Sequence, residues 1–226
     1  MDREQLEAKR AMVDRNNMRA VYESKPKAYK VAKRGFDIVA SSAALVALSP
    51  VFLATAAAIA LEDGRPVIYL SSRAGKNLKR FNMIKFRSMF KDADARLKDL
   101  LKDNEQTGQA FKIKNDPRIT KVGQFIRKFS IDELPQLVNI IKGDMSIVGP
   151  RPILDWQMEE ATPYDQQRLI VQPGLTCYWQ ISGRADIEWE EWVELDLDYI
   201  QDMSMLTDLK IIVKTVPAVF AGGGAY

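Results

Sequence analysis

The apolar run from Phe36 to Leu61 constrains this chain more than any other stretch, because its only charge, Asp37, stands near its start. As one continuous helix it would measure about 39 Å at ~1.5 Å per residue, enough to cross a hydrocarbon core of roughly 30 Å. A cleaved leader fits poorly, since the run is too long and roughly thirty-five mostly polar residues precede it. A buried helix of a soluble core is the other alternative. Ser49-Pro50 sits near the middle of the run. Proline removes a backbone donor and clashes with the preceding turn, so a bend is expected there. The Ser49 hydroxyl can satisfy the carbonyl that Pro50 frees.

Both flanks are basic. Lys25, Lys27, Lys30, Lys33 and Arg34 precede the run, and beyond Glu62-Asp63 come Arg65, Arg73, Lys76, Lys79, Arg80, Lys85 and Arg87. Positive charge holds flanks on the cytoplasmic side. A helix that enters the bilayer, bends at Ser49-Pro50 and leaves on the same face satisfies both flanks, and ordinary spanning stays open. Three segments follow: a polar N-terminal extension (1–34), a membrane helix (35–62) and a cytosolic or interfacial domain (63–226). The extension reads as a leader, a membrane-surface segment or a frayed tail.

Composition narrows the chemistry. The 226 residues include no histidine and one cysteine, Cys177. Histidine-based triads, histidine metal sites and an intrachain disulfide are therefore excluded, and a reducing compartment is implied. Any metal is a hard cation held by oxygen, with magnesium favoured. A net charge of +3 implies no bulk polyanion, so no nucleic-acid partner is expected.

The stretch from Ser130 to Pro152 carries the candidate chemistry. Asp132-Glu133 opens an apolar helix with Leu134, Leu137, Val138 and Ile141 on its buried face, and Gly149-Pro150-Arg151-Pro152 fixes one arginine between two prolines. Ser130 to Glu133 fits a capping box, which alone would explain Glu133 but not Asp132. A first-turn Asp132 sits where a helix start favours negative charge and phosphate. With an ordinary pKa near 4 it is already ionised and needs no base to attack phosphorus. The obstacle is repulsion from an anionic diphosphate, which a divalent cation and basic side chains reduce. Arg127, Arg151, Lys85 and Arg87 are the candidates. A structural pairing of Arg151 with Asp155 is the competing reading.

Around this stretch, Pro66–Ser72 and Lys79–Met89 read as a hairpin turning at Gly75-Lys76-Asn77, with alternation placing Lys85 and Arg87 on one face. Lys91–Asp103 reads as an amphipathic helix, and Asp116-Pro117 as the start of another that carries Ile119, Val122, Phe125 and Ile126. Asp155–Ile170 reads as a helix interrupted by Pro163. Pro173-Gly174 turns into a β-like run ending at Gly183-Arg184. Trp179 and Tyr178 either stack on a base or fill core. Asp186–Met203 forms a helix with an aromatic stripe, core or membrane interface, and Leu206–Phe220 an apolar helix broken at Pro217. Cys177 reads as an inert buried thiol.

Ser-x-Asp-Glu-Leu-Pro-Gln at 130–136, Lys-Gly-Asp-Met-Ser at 142–146 and Gly-Pro-Arg-Pro at 149–152 resemble the core of the bacterial sugar transferases, the monotopic phosphoglycosyl transferases. Lys85-Phe86-Arg87-Ser88-Met89 and Pro173-Gly174-x-Thr…Gln180-x-x-Gly-Arg184 resemble further motifs of that family, and the likeness runs from about Lys33 onward. Ser71-Ser72-Arg73-Ala74-Gly75 departs from it, standing where a glutamine-containing stretch is expected. The resemblance implies an α+β, mostly helical fold with a small β-hairpin, a re-entrant N-terminal membrane helix and interfacial amphipathic helices. It implies an enzyme of the bacterial cytoplasmic membrane, with its catalytic domain on the cytoplasmic side. Such an enzyme moves a sugar-1-phosphate from a UDP-sugar to polyprenyl (undecaprenyl) phosphate. Asp132 would attack the β-phosphorus and expel UMP, Asp132 and Glu133 would hold Mg2+, and Arg151 would bind phosphate. Gln180 and Arg184 would lie near the nucleotide sugar. The tail Gly222–Tyr226 resembles exopolysaccharide-type members and hints at a hexose phosphate. Membrane lipid is an expected partner, and self-association is compatible with this reading. The rival is a membrane-anchored basic interaction or scaffold protein without catalysis.

Overall fold

A computed structural model of the chain describes residues 17–93, 95, 116–182 and 188–220. The expected Lys91–Asp103 helix lies largely outside these residues, as do the tail and most of the loop from Phe111.

A short helix, α1 (Met18–Ser24), precedes two long ones, α2 (Lys27–Ala47) and α3 (Ser49–Asp63). The chain bends by 61° between α2 and α3. Residue 50 would ordinarily donate to the carbonyl of Val46, and proline has no donor to give. The Ser49 hydroxyl fills that role at 2.8 Å. No single helix among the described residues is long and apolar enough to cross a membrane, but this bent pair passes the length and composition test together. Of α3, only Thr55 and Ile59 are buried, while Val39, Val46, Leu53 and Leu61 leave most of their surface open.

The N-terminal segment is not a free extension from residue 17 onward. Met18 is fully buried among Leu197, Tyr199 and other core side chains. Lys33 pairs with Asp208 at 2.9 Å. Arg34 donates to the carbonyls of Ile140 (2.6 Å) and Ile141 (2.8 Å). Asp37, the acid of the apolar run, is buried and accepts the Ile147 N–H at 2.9 Å. The first half of α2 is thus docked on the body of the molecule by the polar residues that sequence periodicity assigns to no face.

The hairpin forms as β1 (Ile68–Ala74) and β2 (Arg80–Phe86), antiparallel with Tyr69 opposite Lys85 and Arg73 opposite Phe81. Asn77 and Leu78 take positive φ in the turn. After the undescribed segment comes α4 (Lys121–Lys128), capped by Thr120 rather than started at Pro117. Asp116 is held by Arg118 instead, at 2.6 to 3.1 Å. A single 3-10 turn (Ile131–Glu133) then leads to α5 (Gln136–Lys142), which ends at Gly143 in the left-handed region and receives the Arg34 cap. The Asn139 side chain stitches α5 to β2, accepting from Ile84 N and donating to Asn82 O.

Strand β3 (Ser146–Val148) pairs in parallel with β5 (Gly174–Thr176), and β4 (Ile153–Leu154) adds to β1. The expected Asp155–Ile170 helix is split into α6 (Asp155–Glu160) and a 3-10 turn (Asp165–Ile170). The expected β-like run after Thr176 is instead a helix, α7 (Tyr178–Ser182), so β pairing stops after three residues. Helix α8 (Trp189–Asp202) buries its stripe. Trp189, Trp192 and Tyr199 are core, which settles that alternative against the membrane interface. Helix α9 (Met205–Phe220) runs through Pro217 and exposes Leu206, Leu209, Val213 and Val216 along one side.

Candidate active site

The capping box does not form. Ser130 adopts φ 54°, in the left-handed region, and its side chain makes no cap bond. Its carbonyl instead accepts the Glu133 N–H at 3.2 Å. That conformation costs a residue with a β-carbon roughly 1–2 kcal/mol. The consequence is a sharp turn between α4 and α5 that buries two adjacent carboxylates, Asp132 and Glu133.

Glu133 is taken. Its Oε1 accepts from Lys85 Nζ at 2.8 Å and from Arg151 Nη2 at 3.1 Å. Burial alone would raise its pKa, but the two cations override burial and hold the carboxyl well below the usual carboxylate range. Asp132 has no hydrogen-bond or ion-pair partner among the described residues. Burial pushes its pKa up to about 6 and Glu133 adds to the rise, against the pull of Lys85, Arg127 and Arg151. The ordinary value near 4 expected from sequence does not hold in this environment. At pH 7 the group is still mostly ionised.

Arg151 is fixed from several sides. Its guanidinium reaches Glu133 and, at 3.5 Å, Gln180 on α7, and it lies 5.0 Å above the Trp179 ring. Trp179 in turn stacks on Trp192 at 5.3 Å, so it is a partly buried platform packed against the core. The backbone carbonyl of Arg151 accepts from Arg168, whose guanidinium is fully buried and ion-paired with Asp196. Arg151 does not pair with Asp155, which faces Arg80 at 3.4 Å. Gly149 permits the close approach of this loop to β5: a β-carbon there would stand 2.4 Å from the Gln172 carbonyl.

Arg127, in the last turn of α4, carries no ion pair to a described residue, and burial lowers its pKa against the opposing charges of Asp132, Asp116 and Glu133. Arg87 goes elsewhere. It donates to the carbonyls of Asp63 (3.1 Å) and Gly64 (2.7 Å) and pairs with the Asp63 carboxylate at 3.2 Å. The free carbonyls at the C-terminus of α3 and an adjacent carboxylate compete successfully for a cation that alternation places beside Lys85. Arg184 lies outside the described residues. Cys177 is buried, and burial pushes its thiol up to about 12, as an inert thiol requires.

Sequence reasoning counted Arg73 only as flanking charge. Its guanidinium approaches Arg151 and Glu133, and burial, then the Arg151 charge, lowers its pKa to about 10. The usable signal was alternation: with the strand carried past Ser72 to Ala74, Tyr69, Ser71 and Arg73 fall on one face, and the structure sets Tyr69 opposite Lys85. The Arg168–Asp196 pair was missed as well, since both residues lie within helical or turn patterns with no motif around them.

Among the described residues no group of three or more potential ligands converges. The two carboxylates nevertheless suit magnesium, which takes one or two carboxylates and completes its shell with water and substrate phosphate. Asp132, buried and without a described counter-ion, is the stronger donor of the two.

The model of the bacterial sugar transferase family matches residues 28–222. An exopolysaccharide production protein, ExoY, of Sinorhizobium fredii is 42% identical over 200 residues, which cover 87% of this chain and 88% of that protein. The Rhizobium meliloti protein of the same name is 43% identical over 200 residues, with the same coverage. The undecaprenyl-phosphate galactose phosphotransferase of Salmonella typhimurium is 43% identical over 199 residues, covering 86% of this chain and 41% of that longer protein. A match that takes in α2 through α9, and with them both carboxylates and every cation around them, leaves no part of the site outside the likeness: the chain belongs to the bacterial sugar transferase family.

Proposed function

We propose that this enzyme transfers a hexose 1-phosphate from a UDP-sugar to polyprenyl phosphate at the cytoplasmic face of the membrane, releasing UMP. The observation that carries this reading is the ionisable, otherwise unengaged Asp132 carboxylate beside Lys85, Arg127 and Arg151. A carboxylate oxygen of Asp132 attacks the β-phosphorus, and the phosphoanhydride bond to UMP breaks. The sugar phosphate stays on Asp132 until an oxygen of polyprenyl phosphate attacks the same phosphorus and the Asp132–phosphorus bond breaks. Both nucleophiles are anions near neutral pH, so the absence of histidine is no handicap. Arg151 and Lys85 hold phosphate oxygens while sharing Glu133, which keeps both side chains in place when no substrate is bound. Magnesium, bound through Asp132 and Glu133, would supply neutralisation of the diphosphate charge.

Several features support the choice of partners. The Salmonella relative is named for undecaprenyl phosphate and galactose, and an Aeromonas hydrophila relative for N-acetylgalactosamine and the same carrier. Helix α3 is apolar all round yet mostly uncovered, which suits lipid rather than water as its surroundings. With basic residues at both ends, the bent α2–α3 pair reads as re-entrant.

The test is nucleotide release from a panel of UDP-sugars with magnesium and polyprenyl phosphate. Wild type releases UMP, and Asp132→Asn loses on the order of a thousandfold or more. Near-normal turnover in Asp132→Asn, or a phosphosugar trapped on another residue, overturns the nucleophile. Release of UDP instead of UMP marks sugar transfer without the phosphate.

A further inference from the structure

Four cations, Arg73, Lys85, Arg127 and Arg151, are gathered with two carboxylates, Asp132 and Glu133. Lys85 and Arg151 share Glu133, and Arg127 lies in the field of Asp132. Arg73 feels the charges of Glu133 and Asp155 only at longer range and makes no ion pair with a described residue. Its Nε donates to Ser71 Oγ at 3.1 Å and its Nη1 to the Pro152 carbonyl at 3.4 Å, both neutral acceptors. No carboxylate of a described residue pairs with it, and Asp155, on the same side, is drawn off by Arg80 at 3.4 Å. The charge nearest to it in effect is the like charge of Arg151. A cation withdrawn from water beside another cation is unfavourable by itself and becomes favourable when an anion bridges the two.

We infer that Arg73 is a binding residue for the donor diphosphate, placed with Arg151 so that one phosphate bridges the two guanidiniums. Its position places it at the same loop and strand face as Arg151 and Lys85. Tyr69, opposite Lys85, and Arg73 lie on one strand face; Arg151 bonds to Glu133, which Lys85 also holds, and Arg73 bonds to the carbonyl of Pro152, the residue next to Arg151. The loop Gly149–Pro152 then fixes both arginines, since Pro152 supplies the acceptor for Arg73. The identity of the anion rests on the proposed function.

The variants are Arg73→Met and Arg73→Lys in the full chain, with two readouts. The first is KM and kcat for UDP-sugar by UMP release. The second is the thermal shift given by inorganic pyrophosphate with magnesium. Arg73→Met raises KM about tenfold to a hundredfold, the equivalent of one charge-assisted contact. It abolishes the pyrophosphate shift and leaves the unliganded Tm unchanged or higher, because a buried charge without an ion pair is gone. Arg73→Lys recovers part of the affinity. An unchanged KM, or a lower Tm with the pyrophosphate shift intact, overturns the assignment and makes Arg73 structural. The proposed function fails separately: an Arg73-dependent pyrophosphate shift in a wild-type protein that releases no UMP sinks the reaction and leaves the phosphate site standing.

Discussion

Asp132 and Glu133 are neighbours in sequence and titrate in opposite directions. Glu133 gains stability from folding only while ionised, so its contribution is present above its ordinary pKa and is lost as pH falls. Asp132 has the opposite sign. Burial raises it from 3.8 to about 6, so its contribution to stability is fully present below 3.8 and is lost as pH rises through 6. Two outcomes follow for this residue. As the nucleophile, it requires kcat/KM to fall about tenfold per pH unit below pH ~6, measured by UMP release on protein shown to stay folded. Asp132→Asn, inactive under the proposed mechanism, should be more stable than wild type at pH 7 by on the order of 1 kcal/mol, read from thermal unfolding. An unchanged or lower Tm for Asp132→Asn would remove the burial penalty on which the shift depends.

At the scale of elements, α4 is held against the chain leaving β2 by a glycine. A β-carbon on Gly123 would stand 1.9 Å from the Ser88 carbonyl, a backbone atom that cannot move aside. Gly123→Ala should therefore cost about 2 kcal/mol or more by forcing α4 off the strand, and should lower turnover through displacement of Arg127; Tm and UMP release measure the two. That packing shows where sequence reading ran out. The hairpin, the bend at Ser49-Pro50 and α8 were legible, because periodicity and proline chemistry are local; α5 was legible only in part, since it starts at Gln136 rather than at Asp132 and buries Leu137 and Ile140 rather than Leu134, Val138 and Ile141. The cap at Ser130, the start of α4 and the end of β5 were not, because each was decided by a partner distant in sequence. Glu133 was claimed by Lys85 and Arg151 rather than by the Ser130 amide. Asp116 was claimed by Arg118 rather than by a helix start. Arg87 illustrates the same limit, since alternation fixes which face a side chain leaves but not which of two anionic or carbonyl partners it reaches.

For the whole molecule, the re-entrant reading places the N-terminus and the body of the protein on the same side of the bilayer. Cysteine-accessibility labelling of a tag ahead of residue 17 in sealed vesicles checks this, and a tag found on the periplasmic side would replace the bend with a crossing. Pro50→Ala restores a donor to Val46 and should shift a fraction of molecules toward that crossing. The docking of α2 carries a practical corollary. Arg34 caps α5, Asp37 holds the Ile147 amide and Lys33 neutralises Asp208, so three inner parts of the globular body are completed by side chains that belong to the greasy hairpin. Removing the hairpin to make a shorter catalytic fragment would therefore strip out internal struts along with the proposed membrane segment, and the remaining polypeptide would lose its shape.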